Sequence, residues 1–263
     1  MTNMPIDTQA IESYKALCSD MYVNLKLAFH SEIDATRQVT VELFDRLRKE
    51  FPALQTFRHV QGELALESAP GVTPQHWVAV RGNCVRAGAV NPESFQQAYQ
   101  LHAAVLELAP YYLGINPLDI DYYETLFGFD IDAPGDHDRI VFESLLRGSP
   151  LASLVEDMDA APIDAQPILG VALRGNGIPN RSEAYFEIKT RPAPNPGLGP
   201  EGEPISVYLT VRRHGPMDDV TTPKLEFSDL GRCGERIIEM SVMPRLIQPI
   251  RSFIASGGAS AWG

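Results

Sequence analysis

Across residues 91–132, NPESFQQAYQLHAAVLELAPYYLGINPLDIDYYETLFGFDID, apolar positions recur first every three or four residues and then every second one. Phe95, Ala98, Tyr99, His102, Val105, Leu106 and Ala109 share one helical face, so this part predicts an amphipathic helix. Asn91 and Pro92 read as its N-cap and first-turn pair, Glu93 suits its positive end, and Pro110 is expected to stop it. Over 119–132 the period falls to two. Tyr123, Thr125, Phe127, Phe129 and Ile131 alternate with Tyr122, Glu124, Leu126, Gly128, Asp130 and Asp132, which predicts a strand with one dry face.

The same two periods organise the rest of the chain. After a short helix at 11–20, Val23, Leu25, Leu27 and Phe29 alternate with Tyr22, Asn24, Lys26 and Ala28 in a half-buried strand. A helix follows, with Asp34 as its expected N-cap and Val39, Leu43, Phe44 and Leu47 on its dry side, and Phe51-Pro52 ends it. β-prone pieces at 56–60, 63–68, 77–81 and 84–90, broken by Gly62, Pro70-Gly71 and Gly82-Asn83, fit four short strands or two long bent ones. Past the central strand, a helix over 137–156 is weakened by Gly148 and Pro150. Strands are then expected at 163–174, 183–191, 205–213 and 224–228, with Gly175-Asn176-Gly177 turning the first. The segment 191–204, RPAPNPGLGPEGEP, is too rich in Pro and Gly for regular structure and reads as a flexible excursion. The last helix, 231–256, should be kinked or interrupted at Pro244 and Pro249.

Both halves therefore run strand, helix, several antiparallel strands, helix. An offset of 100 places Tyr22 on Tyr122, Leu27 on Phe127 and Phe29 on Phe129; an offset of 102 places Val39 on Val141 and Leu43 on Leu145. The expected fold is α+β, a single compact domain over 1–263 built from two repeated halves, about 20–114 and 115–256. Each half is a β-α-β(2–4)-α unit, and together they form a curved antiparallel sheet with helices on one face. This order of elements resembles the duplicated TATA-binding-protein-like architecture. The stretch LELAPYYLGINPLDIDYYETLFGFDID is also similar to a sporadically distributed, uncharacterised bacterial family whose members run from such a helix into an aromatic, arginine-bearing strand. Here acidic residues stand in place of that arginine. The resemblance implies a fold and brings no activity.

Composition narrows the partners. A chain of 263 residues with 44% hydrophobic content can bury a sizeable core, and a net charge of -12 argues against nucleic acid or anionic lipid as a general partner. Cys18, Cys84 and Cys233 are odd in number and far apart, without CxxC spacing, which fits a reducing, cytoplasmic setting better than a disulfide framework. The N-terminus lacks a basic and apolar leader, and no apolar run reaches the roughly 18 residues of a membrane helix, so no membrane association is expected.

Candidate chemistry is sparse. Asp130, Asp132, Asp136 and His137 could hold a hard cation, although Pro134-Gly135 as a turn and Asp136 as a helix cap is the plainer reading. Asp164 with Glu187-Ile188-Lys189 matches the Asp…Glu-x-Lys pattern of metal-dependent nucleases, where two carboxylates hold Mg²⁺ and the lysine steadies the attacking water. The same residues are also what a solvated strand face contains. His102, on an apolar helix face and with no nucleophile motif near it, reads as a buried structural histidine. No HExxH, GxGxxG or P-loop pattern occurs, so no cofactor is expected. The leading expectation is a non-enzymatic binding or protein-interaction module. Its sheet face carries Tyr185, Glu187, Lys189 and Arg191 with Ser206, Tyr208, Thr210 and Arg212, of which Tyr185, Arg191, Tyr208 and Arg212 suit a protein, peptide or small anionic ligand. The alternative is a metal-dependent phosphodiesterase or nuclease.

Overall fold

A strand that is apolar on one side needs a partner on each edge and a cover over that side. The computed structural model, which describes residues 6–33, 35–60, 62–156, 158, 160–175, 177–190 and 203–257, supplies both for the two most apolar strands. β1 (Asp20–Phe29) and β6 (Ile120–Ile131) pair antiparallel at the middle of one nine-stranded sheet, with Leu25 opposite Thr125. Outward from β1 stand β5 (Cys84–Val90), β4 (Gln75–Arg81), β3 (Glu63–Ser68) and β2 (Leu54–Val60). Outward from β6 stand β9 (Ile205–His214), β8 (Ser182–Lys189) and β7 (Ile168–Ala172). Every neighbouring pair is antiparallel. The β-prone pieces between 56 and 90 are thus four separate strands.

The helices collect on the dry side. Tyr14 of α1 (Ile6–Lys15) meets Phe129 edge-on at 6.3 Å, and Phe95 of α3 (Phe95–Tyr112) meets Phe127 at 5.6 Å. Phe44 of α2 (Arg37–Glu50) meets Phe57 at 6.1 Å. α6 (Thr222–Ile237) packs tightly on β6: a Cβ on its Gly234 would lie 2.4 Å from the Phe127 ring, so only glycine lets this helix approach β6 there. Tyr123, Phe127 and Phe129 are completely buried as a result, each side chain contributing about 1.5–3 kcal/mol of hydrophobic stabilisation. α4 (His137–Val141), α5 (Pro150–Glu156) and α7 (Gln248–Ala255) complete this layer. Among the described residues, no helix is long and apolar enough to cross a membrane.

Several sequence expectations are corrected. α3 starts at Phe95, with the Ser94 hydroxyl accepting from Gln97 N; Asn91 lies outside the helix at φ 51, and its side chain accepts from Met21 N and donates to Asp20. Pro110 does not end α3, which runs on to Tyr112: near a helix end the missing donor and the crowding of the preceding turn affect few bonds. Thr36 caps α2, its side chain accepting from Val39 N, while Asp34, the expected cap, lies outside the described residues. Residues 224–228 form part of α6 instead of a strand, with Pro223 placed in its first turn, where a missing N–H costs nothing. The helix expected over 137–156 divides into α4, a π-helical turn at Phe142–Leu146 and α5, with Gly148 at φ 76 between them. The C-terminal helix stays helical through its prolines, because Ile238–Ile247, which contains Pro244, adopts the wider π register that accommodates an interrupted bond ladder. The Pro-rich stretch 191–202 lies outside the described residues.

Candidate functional site

Because side chains alternate, the strands that send Val23, Phe127 and Leu209 into the core send Tyr22, Tyr122, Glu124, Tyr208 and Arg212 to the opposite face. No described helix packs against that face. One row across β1, β6 and β9 reads Tyr22, Gly128, Tyr208. Gly128 leaves room for the Tyr22 ring, which lies 6.1 Å from the Tyr208 ring; a Cβ there would meet Tyr22 at 2.1 Å. The device repeats along the sheet. Trp77 covers Gly88 opposite it, and Tyr185 covers Gly170 opposite it. Each aromatic is thereby laid flat along the sheet and held. Tyr22 also donates to Asp130 at 3.3 Å and Ser206 donates to the same oxygen at 2.6 Å; burial first, then the Tyr208 and Asp130 contacts, raise the Tyr22 phenol well above its ordinary range.

A second row is built around Arg212. Its Nε and Nη2 reach Glu124 Oε2 at 2.7 and 2.6 Å, and its guanidinium lies 4.1 Å from the Tyr122 ring centre and 5.3 Å from that of Tyr185. Planar cations stack on aromatic faces in this way and keep further N–H donors at the rim. Burial lowers the Arg212 pKa, but Glu124, Tyr122 and Tyr185 together outweigh it and the net shift is upward, so the charge is secure. Lys26 donates to the Tyr122 hydroxyl at 2.6 Å. Glu183 accepts from Tyr185 at 2.6 Å and approaches His214 Nε2 at 3.1 Å, contacts that hold its carboxyl below the usual range, Tyr185 first and His214 second. The centre of the face is therefore a set of interlocked aromatic and charged groups with fixed orientations.

Of the residues expected to bind, Tyr185, Tyr208 and Arg212 all line this face; Arg191 lies outside the described residues. Tyr22, Lys26, Tyr122, Glu124 and Trp77 were missed. Alternation already placed Tyr22, Lys26, Tyr122 and Glu124 on the polar side of their strands, but nothing in the sequence said that β6 would pair with both β1 and β9 and gather them. Glu187 and Lys189 lie on the same face and pair with each other at 2.6 Å. Asp164, expected in a strand, sits in the coil before β7 and accepts from Gln166 at 2.9 Å. Asp130 serves Tyr22 and Ser206, and Asp132 accepts from Ser19 at 3.0 Å. Asp136 caps α4, and His137 Nε2 contacts Ala133 O at 2.8 Å. Among the described residues, no group of three or more His, Cys, Asp or Glu is arranged to hold a metal ion.

His102 is fully buried on the helix side, its ring 5.8 Å from that of Phe227, and burial, with His76 adding to it, lowers its pKa to about 3. It is a neutral core residue remote from the open face. No protein-family model matches this chain, and no curated protein matches it either.

Proposed function

We propose that the protein is a non-enzymatic binding module whose open sheet face receives a protein or peptide partner. The observation that carries this is the Arg212 cluster: a guanidinium oriented by Glu124 and stacked on Tyr122 and Tyr185 at the centre of a sheet face that no described helix covers. Aromatic residues and arginine are the types enriched at the cores of protein interfaces, and fixed side chains lose little entropy when a partner docks. We read the two halves as a repeated TATA-binding-protein-like unit. In support, β1 pairs with the last strand of the meander that follows it, β5, and β6 pairs with the last strand of its own, β9. The three cysteines are free and buried, in keeping with a cytoplasmic setting.

The test is site-specific photo-crosslinking in the native host. A crosslinking side chain at Tyr208 should trap a discrete partner, and one at Met240, exposed at 65% on the helix side, should not. Adding Arg212→Ala should weaken affinity for that partner by about 30-fold or more, the loss at a typical interface hot spot. Equal trapping at both positions, or full affinity in Arg212→Ala, would overturn the reading.

A further inference from the structure

The two edges of the sheet are built differently. β2 carries Arg58 and His59, slips register between Leu54 and Thr56, and ties Arg58 to Glu67 of β3 at 3.1 Å. Charge and irregular register are the devices that keep an edge from adding further strands. β7, Ile-Leu-Gly-Val-Ala, has neither, and all five of its residues are exposed, Ile168 at 65% and Leu169 at 60%. Its backbone is poised for another strand. Leu173 N donates to Ser182 O and Ile188 N to Pro167 O, so with Leu169 opposite Phe186 the odd-numbered residues bond to β8. Ile168, Gly170 and Ala172 therefore turn their N–H and C=O groups outward.

The chemistry beside this edge matches itself when inverted. Leu169, on the helix side with Phe186, borders an apolar groove of about 310 Å³ lined also by Leu145, Leu146, Ile188 and Leu246. Asp164 and Arg174 flank the strand at equal distances from Leu169 in sequence, with opposite charges. No carboxylate pairs with Arg174 among the described residues. An antiparallel copy with Leu169 on the two-fold axis sets Asp164 of each chain opposite Arg174 of the other and brings the two Leu169 side chains together over the grooves.

We propose that β7 is a homodimer interface, at which a second copy of this chain adds its own β7 antiparallel with Leu169 at the two-fold axis. The axis is perpendicular to the sheet, so both open faces lie on the same side and become one continuous surface. The net charge of -12 on each chain opposes association only at long range, where screening at physiological salt reduces it beyond about 8 Å. This inference stands whether or not the open face binds a partner.

The experiment is sedimentation equilibrium of the full chain at physiological salt. Wild type should show a reversible dimer. Leu169→Lys, which puts like charges together at the axis, and Ala172→Pro, which deletes an outward N–H without touching a bond to β8, should each sediment as monomers with unchanged far-UV circular dichroism and a Tm that no longer rises with protein concentration. Asp164→Arg and Arg174→Asp should each weaken the dimer several-fold, and the double variant should restore it. A wild-type monomer at high-micromolar concentration would overturn the proposal, as would a dimer indifferent to Leu169→Lys. Slow hydrogen exchange of the Gly170 and Ala172 amides in a monomer would do so too, because it would mean that the chain covers its own edge. A double variant no tighter than the single ones would overturn the register.

Discussion

Gly128 looks replaceable in the sequence, one small residue in a strand of aromatics, yet a tyrosine from each neighbouring strand stands beside it. Gly128→Ala would drive a methyl group into the Tyr22 ring, and the ring, held by Asp130 and flanked by Tyr208, has little room to move. Overpacking of this kind costs about 1–3 kcal/mol, to be read as a lower urea midpoint at constant m-value; an unchanged midpoint would show that Tyr22 turns away freely. His102 makes a second prediction. Its pKa lies at about 3 in the folded chain against an ordinary value of 6.5, chiefly through burial. Below pH 6.5 the unfolded chain takes up a proton that the folded chain refuses. Stability is thus whole above that pH and declines as pH falls toward 3, by up to about 4 kcal/mol. Urea titrations at pH 7 and pH 5 should show wild type losing more stability than His102→Leu over that interval. Equal losses would mean that His102 is protonated in the fold.

At the scale of elements, caps and wide turns decide where helices begin and how they survive proline. Ser94 makes the capping bond to α3, whereas Asn91 holds the end of β5 to the start of β1 at a positive φ that asparagine and glycine tolerate best. Ser94→Ala should therefore cost about 1 kcal/mol. Asn91→Ala should cost more than Asn91→Gly, since both lose the side-chain bonds and only alanine adds backbone strain. Chemical denaturation of the three variants checks this order, and a greater loss in Asn91→Gly than in Asn91→Ala would contradict it.

At the scale of the molecule, β1 and β6 form the seam between the halves: β1 joins β5 to β6, and β6 joins β1 to β9. Separating residues 1–110 from 116–263 would leave each central strand as a bare edge and expose Leu25, Leu27, Phe127 and Phe129 near the break. α3 would also lose its contact with α6, where Tyr99 meets the Phe227 ring at 5.3 Å. The fragments should be insoluble or molten when expressed alone, with poorly dispersed amide spectra. Two well-dispersed monomers would show that the halves are independent domains.

The sequence by itself determined which side of the two central strands is dry, where most strands lie, and the α+β class, because those follow from periodicity and from local punctuation by Gly and Pro. It also placed Tyr185, Tyr208 and Arg212 on one wet face, since side-chain alternation is a property of the strand alone. It misjudged 224–228, where a short apolar pattern is ambiguous between strand and helix, and the start of α3, where Asn91 and Ser94, three positions apart, are both good caps and only the path of the chain selects Ser94. Tertiary structure alone decided the strand order β5, β1, β6, β9. Tyr22, Gly128 and Tyr208 come into one row, and Tyr122, Glu124 and Arg212 into one cluster, through pairings between residues roughly eighty to a hundred positions apart. The physical reason is that strand pairing uses backbone groups that every residue carries, so its specificity comes from how the buried faces pack together, and no single segment contains that information.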